Sequence, residues 1–186
     1  AALRGVNLEV RAGEIVGVAG VSGNGQRELA EVLAGLRKCE SGHIYLDGEE
    51  MTCGSVRNRI VAGQAYIPEE RMRDGAIRQF SVQENLFLHD HSAPRFTRGI
   101  FMNLRAMAAR ARELVDLFGV KTPGLDTPLK NLSGGNIQKL IMARELSRQP
   151  KVLIASQPTR GVDIGATEYI HQRLVQQRDA GAAVLL

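Results

Sequence analysis

The stretch that most constrains this chain is Asn131 to Ala166, NLSGGNIQKLIMARELSRQPKVLIASQPTRGVDIGA. Leu132-Ser133-Gly134-Gly135-Asn136 puts a hydroxyl and two glycines where a helix begins. Gln138, Leu140, Ile141, Ala143, Arg144 and Leu146 carry that helix to a stop at Pro150. Val152-Leu153-Ile154-Ala155 is a short apolar run of the kind a parallel sheet buries on both faces. A helix start with a hydroxyl and bare backbone amides is a ready anion site.

A second feature of the same kind lies near the start. Ile15-Val16-Gly17-Val18-Ala19 reads as an apolar strand running into Gly20-Val21-Ser22-Gly23-Asn24-Gly25, and Leu29, Val32, Leu33 and Leu36 follow at helical spacing. Strand, glycine loop and helix form the context of a phosphate-binding loop, whose successive amides point inward as an anion nest. Gly20 and Gly25 stand five apart, as in such a loop, but Lys and then Ser or Thr should follow, and here Gln26 and Arg27 stand instead. The Lys would bring a cation to the β- and γ-phosphates, and the hydroxyl would ligate Mg²⁺. Gln26 offers a neutral hydrogen bond and Arg27 offers no oxygen. Two readings stay open at this point: a weakened nucleotide site, or a loop that only packs a helix on the sheet.

Elsewhere Val6-Asn7-Leu8-Glu9-Val10 alternates like a half-buried strand, with a turn at Arg11-Ala12-Gly13-Glu14. Leu104 to Phe118 predicts a helix with Leu104, Met107, Ala108, Ala111, Leu114, Val115 and Phe118 on one face and Gly119 as its stop. Ser92 to Gly99 reads as loop, Thr122 to Pro128 as a linker turn, and Ile170, Leu174 and Val175 mark a last helix. His89-Asp90-His91 lacks a visible third ligand, so a solvated loop and no metal site are expected. Cys39 and Cys53 make neither a disulfide framework nor a ligand set.

LSGGN followed by QK resembles the signature motif of ABC-type ATPases, and VLIASQPTRGVD resembles their Walker B strand and D-loop. Ser41 to Gly48 is similar to the family's early β-hairpin, and Phe80 to Leu86 to the start of its helical insert. The resemblance covers essentially the whole chain. It implies an α/β fold of the P-loop NTPase class: a RecA-like core with a mostly parallel sheet over about 1–79 and 130–186, a helical subdomain over about 80–129, and an N-terminal antiparallel β part. It also implies one cassette domain, and both ends read as cut. The family's adenine-stacking aromatic is expected ahead of Ala1 and its switch histidine past Leu186.

Aligned on the family, this chain departs in a pattern. Glu69 stands at the Q-loop glutamine. Ser156 and Gln157 stand where Asp and Glu hold the metal's water shell and polarise the attacking water. Gln157 can orient a water but cannot take its proton, a loss of roughly 10²–10⁴ in rate where a general base matters. So every family position that would touch the metal or γ-phosphate from the chain's own pocket has changed (Gln26, Arg27, Glu69, Ser156, Gln157). Every position offered to a partner's nucleotide remains: Leu132, Ser133, Gly134, Gly135 and Asp163. PTRGVDIGA and IPEER resemble the second half of the tandem ATP-binding subunits of monosaccharide and nucleoside importers, and GNGQ with the missing Asp-Glu resembles the nucleoside branch best.

What the resemblance implies is an importer's cassette half with a degenerate pocket, its signature serving a partner domain's ATP. ATP and Mg²⁺ would act in the assembled transporter, with binding by this chain alone weak or absent. The partners implied are an N-terminal nucleotide-binding domain, transmembrane permease subunits and, indirectly, a substrate-binding protein, at the cytoplasmic face of the membrane. Two alternatives stay open, a soluble ABC protein without a permease and a docking module that binds no nucleotide.

Composition bounds the rest. At 186 residues, 44% of them hydrophobic, the chain is large enough for a real core. It has no apolar run of membrane-span length, and AALRGVNLEVRAGE shows neither the h-region nor the cleavage site of a signal peptide. A net charge of +4, spread in alternating sign and without an aromatic-laced basic patch, gives no support for nucleic-acid binding.

Overall fold

The computed structural model describes residues 3–21, 23–91 and 93–186. In chain order the elements are β1 (Ile15–Val16), α1 (Gln26–Leu33), β2 (Tyr45–Leu46), β3 (Glu49–Glu50), α2 (Val56–Val61) and β4 (Gln64–Ile67). After a π-helical turn at Arg71–Gly75 come α3 (Val82–Leu86), β5 (Thr97–Arg98), β6 (Phe101–Met102) and α4 (Leu104–Leu117). A 3₁₀ turn at Leu129–Asn131 then leads to α5 (Gly134–Leu146), β7 (Val152–Ala155), α6 (Ile164–Asp179) and β8 (Ala183–Leu185).

The organising sheet has four strands in the order β1-β8-β7-β4, all parallel. Both faces of such a sheet must be covered, and the period-two alternation of each strand divides the core accordingly. Ala65, Ile67, Leu153, Ala155 and Val184 join Leu140, Ile141, Met142 and Ile170 in one cluster. On the other face Val16, Tyr66, Val152, Ile154 and Leu185 meet Ala30 and Leu33 of α1. Leu153 is fully buried, and truncating it to Ala would cost about 2–5 kcal/mol. The expected strand Ile15–Ala19 is shorter than its apolar run. Its ladder stops at Gly17, and Val18 adds one further bond to the Leu186 carbonyl.

α5 is buried on nearly every face, because it lies between this sheet and the helices of the 80–129 segment. Met107, Ala111, Leu114 and Phe118 of the α4 region, with Val82 and Leu86 of α3, extend the first cluster without a break. The α4 stripe reads as expected except at its first residue: Leu104 is 63% exposed, and the first residues of the helix to pack on the core are Ala106 and Met107. Gly119, at φ 59, ends the helix in a Schellman motif, its N–H on Asp116 and that of Val120 on Val115. The fully buried Asn85 fixes the approach to this segment, accepting from the Ile77 amide and donating to the carbonyls of Ile77, Phe80 and Ser81.

Two expectations need correction. Val6 to Val10 forms no strand pairing, and Val6 and Leu8 are exposed, because no strand among the described residues offers this segment a ladder. The antiparallel β part expected near the start is the β2–β3 hairpin, whose Asp47-Gly48 turn takes positive φ at both residues. Within the stretch read as loop, Thr97–Arg98 pairs antiparallel with Phe101–Met102.

Candidate functional site

The carboxyl ends of parallel strands are where α/β sheets put their loops for ligands. Here that edge carries the glycine loop after β1, Pro68-Glu69 after β4 and Ser156-Gln157 after β7. Of the loop residues, Gly20, Gly23, Asn24 and Gly25 are described, and Ser22 lies outside the described residues. Gly23 and Gly25 take φ of 94 and 111, conformations that side chains resist.

Two side chains lie against the described part of the loop. Gln26 folds back and its amide Nε2 donates to the Val21 carbonyl at 3.1 Å, standing 2.4 Å from where a Cβ on Gly20 would be. Leu3 Cδ2 lies 2.5 Å from the corresponding point on Gly25. Arg27 turns to other partners, with Nε on Glu31 at 2.7 Å and Nη2 near Asp74 at 3.6 Å. The hydrogen bond to Glu31 raises the Arg27 pKa further. Where the family places a lysine and then a hydroxyl, this chain has Gln26 and Arg27, and the Arg27 guanidinium is paired with Glu31.

Ser156 continues the β4–β7 ladder, its amide donating to the Ile67 carbonyl at 2.8 Å, and Gln157 sits in a tight turn at φ 44. Glu69, at the Q-loop position, is ion-paired with Arg160, which also meets Glu70 at 3.0 Å. Arg71 reaches the same loop: Nη1 donates to the Arg160 carbonyl at 2.5 Å and Nη2 to the Gly161 carbonyl at 2.7 Å. Sequence reasoning missed these links. They join residues some ninety positions apart, and in the sequence Arg71 is one charge among several in an exposed-looking turn.

The signature residues form the start of α5. Leu132 is buried below, and Ser133 is the exposed N-cap, accepting from the Asn136 amide at 3.4 Å and from its side-chain Nδ2 at 2.9 Å. Asn136 Oδ1 in turn accepts from the Lys121 amide at 2.8 Å, which ties the motif to the linker after α4. Asp163 caps α6 by accepting from Ala166 N at 2.8 Å. The two helix starts touch: a Cβ on Gly135 would stand 3.3 Å from Asp163 Oδ2 and 3.4 Å from Ala166 Cβ. A Cβ on Gly134 would meet Arg71 Nη2 at 2.9 Å. The two helix starts and the Arg71 guanidinium therefore leave little room for a side chain at either glycine.

The His89-Asp90-His91 run is committed to protein partners. His89 Nε2 meets Glu145 at 3.1 Å, Asp90 pairs with Arg95 and Arg148, and His91 Nδ1 meets the Leu88 carbonyl. Among the described residues no group of three or more His, Cys, Asp or Glu could hold a metal ion. Glu145 is fully buried, and burial alone would raise its pKa. Arg144 Nε at 2.7 Å and His89 outweigh that and hold the carboxyl down to about 2.

The family model described as ABC transporter matches residues 3–160. The chain belongs to the ABC transporter family. Among curated relatives it is 46% identical over 184 residues to the nucleoside import ATP-binding protein NupA of Lactococcus lactis, covering 99% of this chain and 36% of that protein. Identity is also 46% over 187 residues to the glucose import ATP-binding protein TsgD13 of Haloferax volcanii, covering 100% of this chain and 34% of that one. With the guanosine import ATP-binding protein NupO of Bacillus subtilis it is 44% over 184 residues, 99% of this chain and 36% of that one. The chain thus spans about a third of the length of these ABC relatives. Among solved structures, the dimeric bacterial ABC transporter cassette MJ0796 superposes with a TM-score of 0.78 at 24% identity, over 98% of this chain and 78% of that one. That likeness establishes the ABC cassette fold, α/β with a mostly parallel sheet and an antiparallel pair. No helix among the described residues is long and apolar enough to cross a membrane.

Proposed function

We propose that this chain is the degenerate half of a tandem ATP-binding subunit in an importer of nucleosides or simple sugars. It presents its signature edge to ATP held by a partner domain. Residues 80–129 are the helical subdomain of one cassette, which works at the cytoplasmic face of the membrane with permease subunits and, through them, a substrate-binding protein.

One contrast carries the reading. In the chain's own glycine loop the Gln26 amide donates to the Val21 carbonyl, while Ser133, Gly134, Gly135 and Asp163 are gathered on one edge at two touching helix starts. The Ser133 hydroxyl is exposed, and a helix N-terminus favours an anion. Donors fixed at such a point stabilise charge that develops on a phosphoryl group in the transition state, and they need no base of their own. The names of the relatives supply the substrate class, nucleosides and sugars, and the matching identity to NupA and TsgD13 leaves the choice between them open.

The test compares Ser133→Arg and Gln26→Lys in the full transporter, reading ATP turnover and uptake. Collapse with the first and near-normal activity with the second is expected. Equal, small effects would make the signature a structural remnant. The Gln26–Val21 bond also favours a second reading, a docking module that binds no nucleotide, and calorimetric titration of the chain with MgATP separates the two.

A further inference from the structure

We infer that Arg71 is a positioning residue for the signature edge: its guanidinium holds the D-loop backbone against Gly134, so that segment 69–74 sets where Ser133 to Gly135 stand. The inference rests on the reading that this edge serves a partner's nucleotide.

Arg71 lies in the π-helical turn after the Q-loop position, far in sequence from both motifs it touches. Its two terminal nitrogens are shared between consecutive carbonyls, those of Arg160 and Gly161, a fork that only a planar guanidinium provides. The Gly161 carbonyl and Arg71 Nη2 both face Gly134, lying 3.5 and 2.9 Å from where its Cβ would stand. A second ionic arm runs the other way, from Arg160 on the D-loop to Glu69 and Glu70. The far end of the segment is held too, since Asp74 faces Arg27 at the start of α1. Segment 69–74 therefore bridges the chain's own phosphate loop and the edge it offers outward. Glu69, where the family has an amide, is ion-paired with Arg160 within that bridge.

The experiment uses the full transporter with Arg71→Lys and Arg71→Ala, and Ser133→Arg as the control for the underlying reading. Lys keeps the charge but cannot span two carbonyls. Both Arg71 variants should lower kcat for ATP by roughly ten- to a hundred-fold, the scale of an ångström-level misplacement, with KM for ATP within about two-fold. Hydrogen exchange in Arg71→Lys should quicken at residues 133–136 and 160–166 and stay unchanged in the β4–β7 core. Wild-type kcat in either Arg71 variant, or unchanged exchange at those amides, would overturn the inference. Failure of both variants to assemble would assign Arg71 to folding and overturn it as well. If Ser133→Arg also turns over normally, the reading of the edge itself has failed. If Ser133→Arg is dead while the Arg71 variants are normal, only the positioning role has.

Discussion

The side-chain amide of Gln26 donates to the carbonyl of Val21 at 3.1 Å, closing the glycine loop on itself at the point where a phosphate-binding lysine would extend. A phosphate would have to displace this bond and would gain no cation in return. Calorimetric titration of the chain with MgATP should give weak or undetectable binding. Its hydrolysis should stay at background, and turnover on the order of one per second would sink this expectation.

Gly135 has less spare room than its position at a helix start implies, with Asp163 Oδ2 and Ala166 Cβ 3.3 and 3.4 Å from where its Cβ would stand. Gly135→Leu should push α5 and α6 apart and abolish ATP turnover in the assembled transporter. The isolated chain should keep most of its helical signal by circular dichroism. Retained turnover would mean that the two helix starts need not meet.

Glu145 makes stability depend on acid. Its folded pKa of about 2 lies below the ordinary 4.5, so its contribution is complete above about pH 4.5 and drains away as the pH falls toward 2. The shift corresponds to about 3 kcal/mol, read as a loss in urea-unfolding free energy over that window. Glu145→Gln should flatten the profile. It should also cost about 3–5 kcal/mol at neutral pH, because it leaves buried Arg144 unpaired, and Arg144 Nη1 already lacks a hydrogen-bond partner.

Asn85 satisfies one amide and three carbonyls in a fully buried site. Asn85→Leu leaves the Ile77 amide without its acceptor, while the three carbonyls keep backbone donors, so a loss of about 1–3 kcal/mol is expected, with a lower melting temperature. An unchanged melting temperature would mean that the Ile77 amide finds another acceptor.

Much of the fold was legible because its signals are local. Val152 to Ala155 is apolar throughout and became a central strand, and Ser133 precedes a helix as a capping residue should. Gly119 and Asp47-Gly48 ended a helix and a strand through backbone conformations that few residues accept. The Val6 to Val10 alternation failed for the opposite reason, since a strand exists only when another chain segment completes its hydrogen bonds. Leu104 kept its place on the apolar stripe and still faces solvent, because the stripe outruns the surface that covers it.

At the site, the residue types at the loop, strand-end and signature positions were set by the sequence alone, and with them the missing cation, hydroxyl and carboxylates. What those substitutes do was decided only when the chain folded. Gln26 turned inward to Val21, Arg27 reached Asp74, and Glu69 and Arg71 closed on the loop at Arg160 and Gly161. Helix and turn signals lie within a few residues of one another and survive in one dimension. A guanidinium's choice of partner depends on which carbonyls and carboxylates the sheet order and the packing of α5 bring within three ångströms, and no spacing along the chain records that.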